Sequence, residues 1–166
     1  MIGPISYFRN LIHRNRAPSP AEQWLLRALL DSLPPHIKWI AEAQIATYDR
    51  AHREVDGREV NFYSTAGASK NAPNLAMRSP EATLVGITAS VSGGPARIYA
   101  RLTAVNGRVF CMSFNQRVAH LDPSSMQLTS VKESWRSNFP LHVSEVTSID
   151  VLERVSQAVI SPPGKP

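Results

Sequence analysis

Cysteine is almost missing: Cys111 stands alone among 166 residues. An internal disulfide is therefore excluded, and the fold must be held by its core. The five histidines fall into no HxH or HxxxH spacing, and there is no CxxC. No local metal-ligand motif is present, and no metal or cofactor is expected. GxSxG and the P-loop are also absent, so the common nucleophile and phosphate-loop signatures are missing. No apolar run approaches the roughly 20 residues that span a bilayer. The opening Met1-Ile-Gly-Pro-Ile-Ser-Tyr-Phe-Arg9 lacks a charged segment followed by an apolar one. No secretory signal is expected, and a reducing, cytoplasmic setting fits the cysteine count.

Acid is scarce over long stretches. Residues 1–20 carry Arg9, Arg14 and Arg16 without a carboxylate, and residues 61–121 carry six basic residues against Glu81 alone. Residues 21–60 are net acidic, and the whole chain is +5. The basic middle could attract a nucleic acid, an anionic surface or an acidic partner, or its arginines could simply be solvated.

Hydrophobic content of 43% is enough for one core. The organisation expected is a basic segment over 1–18, a single domain over 19–160 and a proline-rich tail over 161–166. Ser19-Pro20-Ala21-Glu22 is a capping-box pattern with proline at the first helical position. Leu25, Leu26, Leu29, Leu30 and Leu33 follow at helical spacing until Pro34-Pro35. This predicts a helix over 20–33, with a short second helix over 36–44. A first strand is expected between Gln44 and Val55, then a turn at Asp56-Gly57 and a second strand over 59–63. Residues 64–80 read as a long loop. Residues 82–91 alternate as a third strand, with Val85, Ile87 and Ala89 on one side and Leu84, Gly86 and Thr88 on the other. Another strand is expected within Leu121 to Arg136. Ile149, Leu152, Val155 and Val159 predict a C-terminal helix over 149–159. The fold class is α+β: an antiparallel sheet of four to six strands with the N-terminal and C-terminal helices packed on one face.

The strongest local signal is the pair of β-prone runs Arg97–Val105 and Arg108–Phe114, joined by Asn106-Gly107. A two-residue type I′ turn requires φ > 0 at both central positions, which Asn-Gly accepts. An unbroken ladder would pair Val105 with Arg108, Leu102 with Cys111, Arg101 with Met112 and Tyr99 with Phe114. One face of this hairpin is small and apolar, suited to receive a helix. It includes Cys111, which reads as a small hydrophobe and not as a nucleophile. The other face carries Tyr99, Arg101, Arg108, Phe110 and Phe114. Three readings of it stay open. It is a second buried face with arginine stems over it, a protein-recognition surface, or a platform for stacked bases. The RNP string of an RRM is missing. Asp49, His52 and Asp56 sit close in sequence, but Asp49 and His52 have opposite parity on a strand. No catalytic residue is assigned. An enzyme site built only by tertiary structure stays an alternative.

The capped leucine helix, Val55-Asp56-Gly57-Arg58-Glu59-Val60-Asn61-Phe62 and Arg101–Phe114 together resemble small bacterial α+β proteins of the toxin-immunity type. The resemblance covers roughly residues 19–115 and implies a non-catalytic protein-binding module, an immunity or adaptor protein. Immunity proteins that block nucleases are usually acidic, and this chain is basic, so a nuclease target is not implied. The resemblance assigns no functional residue. The partner-binding candidates are Tyr99, Arg101, Arg108, Phe110 and Phe114, with a protein as first partner and nucleic acid as second.

Overall fold

In the computed structural model, which describes residues 17–64, 72–93 and 96–139, the first helix starts where its capping box predicts. The Ser19 hydroxyl accepts from the Glu22 N–H at 3.3 Å, and the Glu22 carboxylate accepts from the Ser19 N–H at 2.6 Å. This helix, α1, spans Pro20–Asp31. Its leucine stripe, including Leu33 just beyond the end, is buried. Helix α2 spans Pro35–Ile45. Strands follow as β1 (Arg50–Arg53), β2 (Glu59–Tyr63), β3 (Glu81–Val91), β4 (Arg97–Val105), β5 (Arg108–Phe114) and β6 (Met126–Lys132). A single helical turn, α3, closes the described chain at Trp135–Asn138.

The strands form one antiparallel sheet in the order β1-β2-β5-β4-β3-β6. Helix α1 packs on β3 and β4, and α2 packs on β5. One layer of helix therefore covers one face of the sheet, the α+β arrangement expected. Leu25, Leu29, Ile37, Leu84, Ile98, Leu102 and Met112 fill the space between the layers with essentially no exposure. The helix expected over 149–159 lies outside the described residues.

Three expectations are corrected. The strand expected from Gln44 is shorter and starts later. Ile37, Ala41, Gln44 and Ile45 are all buried, at spacings of four, three and one, so the helical face continues through Ile45 and β1 begins only at Arg50. On β3, Leu84 is not opposite in face to Val85, because both are fully buried. A bulge at this point pairs Thr83 with Thr103 and Val85 with Leu102, leaving Leu84 as the extra residue.

The third correction falls on the hairpin. Asn106 and Gly107 do take positive φ, 49° and 79°, and Val105 does pair with Arg108. A bulge then leaves Phe110 unpaired, with Ala104 opposite Val109 and Thr103 opposite Cys111. Beyond it the pairs are Leu102 with Met112, Arg101 with Ser113 and Ala100 with Phe114. A one-residue slip exchanges the two faces. Met112 and Phe114 thus join the core, while Cys111 and Ser113 move to the side away from the helices.

The Asn106-Gly107 turn is also hemmed in. A Cβ on Gly107 would stand 2.7 Å from the Leu75 carbonyl oxygen. Gly107→Val combines this clash with a φ that β-branched residues resist, and should cost about 2–3 kcal/mol. Urea denaturation reads this directly. An unchanged midpoint at equal slope would show that the turn tolerates a side chain.

Candidate functional site

The face of the sheet away from α1 and α2 is built by a row of paired residues. Glu59 of β2 lies opposite Ser113 of β5, Ser113 opposite Arg101 of β4, Arg101 opposite Gly86 of β3, and Gly86 opposite Lys132 of β6. Two residues along β3, Thr88 lies between Tyr99 and Ser130. These two rows enclose a groove of about 570 Å³, completed by Asn115. Among the described residues its polar walls are neutral except for Arg101 and Lys132, and no carboxylate lines it.

The groove is held in shape from β5. Arg101 Nε donates to Ser113 Oγ at 2.8 Å. The Asn115 side chain accepts from the Tyr99 N–H at 2.9 Å and donates to the Arg97 carbonyl at 3.0 Å. Tyr99 is 53% exposed, so its ring is carried on a fixed backbone but not packed away. Among the described residues, the ion pairs are Lys38 with Asp31 and Glu42, His52 with Glu54, Arg53 with Glu22, and Arg136 with Glu133. Neither Arg101 nor Lys132 takes part.

The five candidate residues do not form one patch. Tyr99 and Arg101 stand together in the groove. Phe110, the bulge residue, meets Tyr63 edge-on at 6.1 Å. Arg108 lies beside the turn, four residues along the strand pair from Arg101, or about 13 Å. It donates to the Ala72 carbonyl at 3.5 Å and keeps a buried Nη1 without a partner among the described residues. Phe114 also lines the groove, but at 7% exposure its side chain belongs to the core. The unbroken alternation that placed it with Tyr99 fails at the bulge. Lys132 and Gly86 were not foreseen, because their pairing depends on β6 reaching β3 across the intervening chain. The adjacency of Cys111 and Met112, both buried, was the trace of the slip within the sequence.

The Asp49, His52 and Asp56 grouping does not assemble as a site. His52 approaches Glu54 at 4.0 Å, and Asp56 accepts from the Arg58 N–H inside the turn. Among the described residues no three His, Cys, Asp or Glu side chains group as metal ligands, and no helix is long and apolar enough to cross a membrane.

Cys111 is buried on the side away from α1 and α2, between Thr103 and Asn61 in the ladder. Burial, with the Glu59 charge second, pushes its thiol from 9.0 up to about 11. Burial likewise raises the Tyr48 phenol from 10.0 to about 12. Each group is neutral in the fold over a wider range than in the unfolded chain. Their contribution to stability is complete below pH 9 and is lost as pH rises through about 11 and 12. Cys111 in the native protein should therefore react with a disulfide reagent at pH 8 at least about tenfold more slowly than in denaturant. Equal rates would show an accessible thiolate.

No protein family, curated protein or solved structure matches this chain.

Proposed function

We propose that this chain is a non-catalytic protein-binding module, an immunity or adaptor protein acting in the cytoplasm, and that its contact surface is the groove around Tyr99 and Arg101. One observation carries the reading. The side of the sheet away from α1 and α2 presents, among the described residues, an exposed aromatic ring beside two cations that have no ion-pair partner. Tyrosine and arginine are enriched where proteins meet, because each covers a large area with few rotatable bonds or several donors. The chemistry that suits this surface is a protein segment with acidic side chains, since among the described residues the groove offers positive charge and hydroxyls but no carboxylate.

The test places a photo-crosslinking amino acid at position 99 of the full chain in its native host, with and without nuclease. The expected product is one protein, crosslinked equally in both conditions and absent when the crosslinker sits at exposed Val55 instead. A nuclease-sensitive product would give the surface to nucleic acid, the reading in which Tyr99 stacks on bases. Absence of any specific product would contradict the proposal.

A further inference from the structure

Gly86 lies in the interior of β3, between the two cations of the groove. Glycine weakens a strand interior, and where it stands there it often marks the close approach of another group. The bulge at Leu84 and Val85 lies next to it, but neither a special backbone angle nor a lack of space explains it. Its φ is not among the positive ones, which belong to Gly57, Gly93 and Gly107. A Cβ placed on it would meet the Ala100 carbonyl oxygen at 3.7 Å and Lys132 Cβ at 3.8 Å, both ordinary contacts. The fold has room for a side chain that the sequence does not supply.

The space left open has a defined chemistry. Arg101 and Lys132 are two strands apart, so their Cα atoms stand about 10 Å from each other across the glycine. The Arg101 guanidinium is anchored through Nε to Ser113. Among the described residues its two Nη groups make no hydrogen bond, which leaves a planar fork to donate. Glu59 ends the row two strands beyond Arg101, on the side of Ser113 away from the glycine. Net positive charge is thus concentrated over Gly86.

We infer that Gly86, Arg101 and Lys132 form a seat for one carboxylate, presented by an Asp or Glu side chain of an extended partner segment. The glycine lets the acid descend to the sheet, the arginine fork receives its two oxygens and the lysine supplies a second charge. Tyr99, two residues along the same side of β4, lies against the neighbouring part of the segment. The inference rests on the proposed protein-binding role and specifies what that partner brings.

The probe is the capped heptapeptide Ala-Val-Thr-Glu-Thr-Val-Ala, titrated into the full chain and followed by the amide and arginine Nε signals. The glutamate peptide should shift Gly86 and Arg101 and saturate with a Kd on the order of 1 mM. Its glutamine counterpart should bind at least about tenfold more weakly. Gly86→Thr, which fills the seat with a good strand former, should melt at or above the parent temperature while binding at least about fivefold more weakly. Lys132→Gln, at an exposed edge position, gives a second reading should Gly86→Thr fold poorly, and should lose affinity to a similar degree. Equal binding of the two peptides, or unchanged binding by both variants, would overturn the seat. So would tighter binding of the phosphoserine counterpart, which would assign it to phosphate. A protein still crosslinked at position 99 in Gly86→Thr and Lys132→Gln would retain the surface and remove the seat. A seat that binds the peptide without any crosslinked protein would do the reverse.

Discussion

Gln44→Leu should destabilise the protein by about 4 kcal/mol, although it replaces one side chain by another of similar size in a fully buried position. Gln44 is the joint between three parts of the fold. Its Nε2 donates to the carbonyls of Pro73 at 2.7 Å and Gly107 at 2.8 Å, and its Oε1 accepts from the Val109 N–H at 2.8 Å. The Gly107 carbonyl keeps a second donor, the Leu75 N–H. The Pro73 carbonyl and the Val109 N–H lose the glutamine without such a replacement. A buried group left unsatisfied costs about 1–3 kcal/mol; the Val109 N–H is buried and the Pro73 carbonyl half-buried, and together they set the estimate. The Val109 amide should also exchange faster. A loss below about 1 kcal/mol would mean that water or a shifted loop replaces the amide.

Arg53→Ala should cost about 3–5 kcal/mol, more than removal of an ordinary surface arginine. Its partner Glu22 is fully buried on α1. Arg53 grips it with two bonds, Nε to Oε1 at 2.7 Å and Nη2 to Oε2 at 2.5 Å. The carboxylate also closes the capping box, so α1 and β1 are tied through one residue. Without the guanidinium a charge stays inside with a single backbone donor. Adding Glu22→Gln to Arg53→Ala should recover part of the loss, because it removes the stranded charge. A single-variant loss within about 0.5 kcal/mol would show that water reaches Glu22 past the half-exposed arginine.

Much of this fold was legible because local chemistry agrees with the global arrangement. Ser19 and Glu22 announce α1, Asn106-Gly107 announces the β4–β5 turn, and the prolines at 34 and 35 separate the helices. What stayed hidden has a common physical origin. The bulges between β3 and β4 and between β4 and β5 change register by one residue, and one residue is enough to exchange the faces. The sequence therefore placed Phe114 on the same face as Tyr99, although Phe114 borders the groove from the core, its ring in the cluster under the helices. The α2–β1 boundary was missed because Gln44 is polar yet buried, its amide satisfied by residues 29 to 65 positions away. Lys132 joined Arg101 only through the pairing of β6 with β3, a long-range contact that no local pattern encodes. The candidate site was thus half legible: its two β4 residues were visible, and the strands that flank them were not.

Whether the groove around Arg101 is the proposed recognition surface or a second core is decided by a single variant. The measurement is made on the Arg101→Glu variant, comparing its melting curve with its affinity for the protein crosslinked at position 99. An exposed surface change should move stability by no more than about 0.5 kcal/mol. The reversed charge should weaken binding at least about tenfold, mainly through slower association that varies with salt. A folded variant that binds as the parent does, or a variant that unfolds, would contradict the claim.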